Sequence, residues 1–155
     1  MKKVITLLVL SFIVLFVSAQ PDLSGKWKLS KEKSTLNDQF SMAPSEIIIS
    51  QKGNDLSVEK HASFQDNDFT MNEKYTLDGK ECINDGMMDV KKKSTVRISD
   101  DKKTLTISSK MSMQDGSEMT IKEVYSLENG NLVLDSSASS SFGDMKEKMV
   151  YEKQK

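Results

Sequence analysis

The sequence is short of the residues that usually carry chemistry. One Cys, one His and one Arg occur in 155 positions. A single Cys and a single His cannot build a zinc site from the usual soft ligands, and one Cys cannot close an internal disulfide. A basic surplus, which a nucleic-acid binder needs to displace phosphate counterions, is missing as well: 22 basic side chains face 23 acidic ones, for a formal charge of −1. No Gly-x-Ser-x-Gly, phosphate-binding loop, His-Glu-x-x-His or dinucleotide fingerprint is present. The expectation is a protein without catalytic residues, metal or cofactor. His61 has no partner in view and reads as a surface or half-buried imidazole. Met111-x-Met113 and Met87-Met88 offer thioether sulfur of the kind that binds Cu(I), but with only His61 to assist they do not make a metal site. Apolar residues at 37% and charged residues at 29% are ordinary for one soluble globular domain.

What is present starts with a leader. Met1-Lys2-Lys3 is a short basic start, Val4–Val17 is apolar apart from Thr6 and Ser11, and Val17-Ser18-Ala19 ends in small residues. This layout predicts a signal peptide over residues 1–19, cut after Ala19. The run is too short for an anchor, which needs about 18 or more apolar residues. With no Cys at the junction, no lipid anchor is expected either. The domain is then 20–155, secreted to the periplasm or beyond. In an oxidising compartment the lone Cys82 reads first as a buried small hydrophobe, with a reactive thiol or an intermolecular bridge as alternatives.

Beyond Gln20 the period is two. Leu105, Ile107, Ser109, Met111 and Met113 alternate with Thr104, Thr106, Ser108, Lys110 and Ser112. Met119, Ile121, Tyr125 and Leu127 do so against Thr120, Lys122 and Ser126, and Phe69, Met71, Tyr75 and Leu77 against Thr70, Asn72, Lys74 and Thr76. Such alternation puts one face on a core and the other in water, as in half-buried antiparallel strands. Gly53-Asn54, Asp78-Gly79, Asp85-Gly86, Asp115-Gly116 and Asn129-Gly130 supply turns between the runs. Nine or ten strands are predicted, at about 25–31, 45–51, 55–62, 69–77, 92–98, 103–113, 118–127, 131–140 and 145–153, with 80–84 as the optional tenth. A weak repeat supports similar hairpins: Leu105, Ile107, Ser109, Gly116 and Val124-Tyr125 echo as Leu132, Leu134, Ser136, Gly143 and Val150-Tyr151. Closing such a meander removes its two open edges. The expected fold is therefore all-β, an antiparallel up-and-down barrel of 8–10 strands.

Asp22-Leu23-Ser24-Gly25-Lys26-Trp27 opens this domain. A Gly-x-Trp at the first strand of an antiparallel meander resembles the calycin superfamily, and within it small secreted bacterial lipocalin-like proteins. The resemblance implies that Gly25 and Trp27 mark the closed end of the barrel, with the Trp plugging the floor. Lipocalins lay an Arg from a late strand over that Trp. Arg97 lies mid-chain, so Lys146 or Lys148 is the expected substitute. The Thr-Asp-Tyr motif and a C-terminal helix are missing. The same opening resembles avidin-like proteins, whose pocket uses several Trp residues where this chain has Trp27 alone.

The inward face carries the candidate site. Met71, Met111, Met113, Met119, Met145 and Met149 share it with Phe69, Tyr75 and Tyr125. Flexible, polarizable Met suits an adaptable apolar cavity. Ligand-lining roles are expected for Met71, Tyr75, Met111, Met113, Met119, Tyr125 and Met149. The long connection Glu32–Pro44 is expected to form a lid, with Phe40 and Met42 facing the cavity and Ser34 capping a helical turn. Its alternative is a solvated loop tucked onto the outside. Glu73 and Glu123 have the parity of Tyr75 and Tyr125. Turned inward they would need pairing or water and would hold a polar or cationic ligand head; at the open rim, the commoner arrangement, they would be solvated. Lys91-Lys92-Lys93 reads as a solvated turn. The expected function is binding of a small hydrophobic or amphipathic molecule. The alternative is a filled barrel that works through its outer surface as a protein-interaction module of the cell envelope.

Overall fold

The computed structural model describes residues 20–37, 41–64, 67–86, 90–113 and 115–155. The leader, Phe40 and Met87-Met88 lie outside the described residues. Ten strands follow in order: β1 Gly25–Leu29, β2 Glu46–Lys52, β3 Asp55–Phe64, β4 Asn67–Thr76, β5 Cys82–Asp85, β6 Lys91–Ile98, β7 Thr104–Ser112, β8 Glu118–Glu128, β9 Asn131–Ser140 and β10 Gly143–Lys153. The only helical element among the described residues is a 3₁₀ turn, Lys31–Lys33, so no described helix is long and apolar enough to cross a membrane. Alternation produces these strands, and the nine expected runs and the optional tenth are all present within two residues of their predicted ends.

Each strand pairs antiparallel with the next from β1 to β4 and from β5 to β10, and β1 also pairs with β10. The ring therefore has one seam, between β4 and β5. Asn84 bridges it with its side chain: Lys74 N–H donates to its Oδ1 at 2.7 Å, and its Nδ2 donates to the Lys74 carbonyl at 3.0 Å. Asn84 thus does across the seam what a backbone amide does in a ladder. Cys82 adds to it, accepting the Thr76 N–H on its sulfur at 3.3 Å while packing against the core. The result is a nearly closed barrel.

One end is closed by apolar side chains. Leu23, Trp27, Ile47, Leu56, Val58, Leu105, Ile107, Leu132, Leu134 and Tyr151 are all buried there in one cluster. Trp27 lies at its base and donates its indole N–H to the Leu23 carbonyl at 3.0 Å. The cation over its ring is Lys153, with Nζ 5.3 Å from the centroid, and not Lys146 or Lys148 as expected. Register explains the correction: Lys153 stands opposite Trp27 in the β1–β10 ladder, whereas Lys146 and Lys148 are exposed on the outward parity. Gly25 is needed beside this pair, because its φ is +149° and a Cβ there would meet Lys153 Cε at 3.0 Å.

At the other end the chain leaves β1 early and covers the side of β10. Thr35 exchanges backbone hydrogen bonds with Lys148, and Ser45 N–H donates to the His61 carbonyl before β2 begins. Leu36 and Ala43 pack against the core. Ser34 follows the 3₁₀ turn and donates its hydroxyl to Ser30 O at 2.7 Å, so it ends a helical turn where it was expected to start one.

Candidate functional site

Above this apolar floor, four inward-facing charges meet. Lys60 comes from β3, Glu73 from β4, Lys92 from β6 and Glu123 from β8. Lys60 Nζ lies 2.6 Å from Glu123 Oε1 and 3.0 Å from Glu73 Oε2. Lys92 donates to Glu73 Oε1. From below, Tyr75 donates its hydroxyl to Glu73 at 2.8 Å, and Tyr125 donates to Glu123 at 3.2 Å. None of the four charged side chains is more than 9% exposed. The Ser94 and Ser109 hydroxyls, 2.8 Å apart and buried, lie on the same inner wall.

Burial of this kind is tolerable only because the charges are matched. Burial is the largest single influence on Lys60 and works against its charge, but the Glu123 carboxylate and the Tyr125 and Tyr75 phenols together outweigh it, and its pKa stands above that of an ordinary lysine. Burial likewise pushes the Glu123 carboxyl up, yet Lys60 and Lys92 hold it below the usual range. Lys92 is the weak member: burial, then repulsion from Lys60, pull it down to about 8 against the pull of Glu123. It still carries its proton at neutral pH, as its contact with Glu73 requires. The phenols of Tyr75 and Tyr125 are pushed up, mainly by burial. Among the described residues no buried side-chain nitrogen or oxygen lacks a hydrogen-bond partner.

The expected site residues divide around this layer. Tyr75, Tyr125 and Met149 belong to the packed floor, where Met149 sulfur accepts the Tyr151 hydroxyl at 3.4 Å. Met111 is buried beside Lys92, its partner in the β6–β7 ladder. Met71, Met113 and Met119 lie half-buried on the other side of the layer, as do Phe69, Ile121 and Met145. Met42 is half-buried in the segment before β2. Glu73 and Glu123 are interior, which corrects the rim placement. Lys92 is interior too, within β6 and not in a solvated turn. His61 does have partners on the outer face: Glu59 Oε1 lies 2.7 Å from Nε2, and Thr70 Oγ1 lies 3.2 Å from Nδ1. No group of three His, Cys, Asp or Glu among the described residues could hold a metal ion.

Lys60 and Lys92 are the interior residues that alternation alone did not bring out. The usable signal was parity: Lys60 continues Leu56 and Val58, and Lys92 precedes Ser94 and Val96. A cleft of about 540 Å³ lies on the outside of β6–β10. It runs between two cross-strand rows, Lys93–Lys110–Thr120–Ser139 and Thr95–Ser108–Lys122–Ser137.

No protein-family model and no curated protein matches this chain. Solved structures do. A zebrafish ileal bile acid-binding protein in complex with cholic acid superposes with a TM-score of 0.57 at 18% identity, over 84% of this chain and 98% of that one. The ligand-free lipid binding protein 8 of Caenorhabditis elegans gives 0.58 at 12% identity, over 84% and 94%. At these identities the likeness establishes the fold alone, a nearly closed antiparallel β-barrel, here of ten strands. Ten strands are the upper end of the expected eight to ten.

Proposed function

We propose that the protein carries a small hydrophobic or amphipathic molecule in the open half of its barrel. The observation behind this reading is the contrast between the two halves. Floor side chains such as Ile47, Leu105 and Leu132 are 0% exposed, while Phe69, Met71, Met113, Met119, Ile121 and Met145, on the same inner face, all remain half-exposed. Apolar side chains left accessible inside a concave wall, with a few convergent polar groups at its base, suit a small-molecule site. That the neighbours in fold include a bile acid-binding and a lipid-binding protein supports the same class of ligand here. The role proposed is non-enzymatic and takes place outside the cytoplasm, after removal of residues 1–19. Native mass spectrometry of protein purified from its own host tests both points. The expected result is a co-purifying small molecule on a chain that starts at Gln20; a bare chain that starts at Met1 contradicts them.

A second reading rests on the outer furrow. Lys93, Lys110, Lys122 and Lys146 border it against Glu81 and Asp144, leaving it basic. If the barrel works through its surface in the cell envelope, charge reversal at Lys122 and Lys146 abolishes its function and leaves loading of the interior unchanged.

A further inference from the structure

The charge balance of the inner wall bears on what kind of head group the ligand carries. Apart from Lys153 on the floor, the inward-facing side chains of the ladders described above that carry charge at neutral pH are Lys60, Lys92, Glu73, Glu123 and Glu147. Glu147 shares a cross-strand row with Ser136 and Glu123 and takes the Asn37 N–H at 2.9 Å. Lys153 sits over Trp27, separated from the open half by the packed core. The wall beneath the mouth therefore holds two ammonium groups and three carboxylates, and neither ammonium is without a carboxylate partner.

We propose that the barrel selects an amphiphile whose head is uncharged and accepts hydrogen bonds, such as an alcohol, ester or amide, and rejects the carboxylate head of a free fatty acid. The inference rests on the carrier reading and refines it. A buried carboxylate needs a cation or several donors to offset its lost hydration. Here an incoming carboxylate meets cations already neutralised, so a hydrogen bond from one of their remaining N–H groups leaves its charge uncompensated unless Glu73 or Glu123 is displaced into a less favourable setting. It also lies beside three like charges. An ammonium head, with no lone pair, cannot accept from Lys60, Lys92 or the Ser94 and Ser109 hydroxyls. A hydroxyl or carbonyl oxygen accepts from them and brings no net charge into the wall. Selectivity is then set by repulsion of the wrong head as much as by attraction of the right one.

Titration of the purified protein with dodecanol and dodecanoate at about pH 7 tests this, because the two differ only in the head. The wild type is expected to bind the alcohol at least about tenfold more tightly, and Glu73→Gln, which frees one positive charge, to shift the ratio toward dodecanoate by about tenfold or more. Lys92→Met makes the wall more negative, leaves Lys60 bridging both glutamates, and is expected to move the ratio further toward dodecanol by about threefold or more, because the carboxylate loses a cation where the alcohol loses one hydrogen-bond donor. If Glu73→Gln does not fold, Lys92→Met and the wild-type ratio decide. Equal binding of the two probes by the wild type, or a ratio that stays fixed in the folded variants, overturns the inference and leaves the carrier reading standing. Binding of neither probe, nor of a broader panel of apolar molecules, overturns the carrier reading itself.

Discussion

Removing Lys60 strands Glu123 in the barrel while Lys92 still answers Glu73. Lys60→Met is predicted to cost about 3–5 kcal/mol, the usual penalty for leaving a buried charge uncompensated. Lys60→Met combined with Glu123→Leu removes both members and is predicted to recover most of that loss, as a urea-denaturation double-mutant cycle would register. Additive losses would mean that the two are not coupled. Lys92 makes a separate prediction. Its folded-state pKa of about 8 lies below that of an unfolded lysine, so between about pH 8 and pH 10.5 the unfolded chain holds a proton the native chain has lost. Stability from this group therefore rises through that window. Tyr75, Tyr125 and Tyr151 are shifted up by burial and ionise more readily when unfolded, and Lys60 keeps its proton longer when folded, so above about pH 10 the balance turns downward. Urea midpoints should climb between about pH 7.5 and pH 9.5 and then fall, with the climb absent in Lys92→Met. Parity made Glu73 and Glu123 legible as candidates for the interior. The same parity groups Lys60 with Leu56 and Val58 and Lys92 with Ser94 and Val96, but each lysine has polar neighbours on both sides, so no change of polarity along the chain singles it out.

Strands were the most legible elements, because burial on one face and water on the other imprint a period of two, and Gly, Asn and Asp mark the turns. Partnership across the ring was not legible, since parity does not say which distant strand completes a ladder. The β1–β10 pairing that places Lys153 over Trp27 and the seam between β4 and β5 both lie beyond that signal. The seam yields a test. Asn84→Ala leaves the Lys74 N–H and carbonyl without their partner and is predicted to cost about 1–3 kcal/mol. Amide exchange should accelerate at Lys74 and Thr76, with β8 and β9 little changed. Uniform acceleration across the ring would mean that the seam does not open on its own. Gly86 is the second constrained point: a Cβ there would lie 2.7 Å from the Val90 carbonyl oxygen and from Met111 sulfur. Gly86→Ala is predicted to destabilise by about 1–3 kcal/mol, measured by thermal unfolding, because backbone cannot retreat as a side-chain tip can.

Taken whole, the molecule is a barrel in three layers: an apolar plug on Trp27, a matched set of buried charges, and a methionine-rich upper wall that stays accessible. The barrel itself and its Gly-x-Trp floor were legible because closure is the common way for a meander to dispose of its edges. The layering was not, because the strands tilt, and depth in a barrel depends on register as much as on position along the chain. The account turns on the upper layer receiving the ligand. Methionine-methyl NMR during titration with dodecanol tests it most directly: the account predicts that the Met71, Met113, Met119 and Met145 methyls shift with one common binding curve while Met149, packed in the floor, stays put. Saturable binding that moves none of those four methyls, or no binding at all, would contradict it.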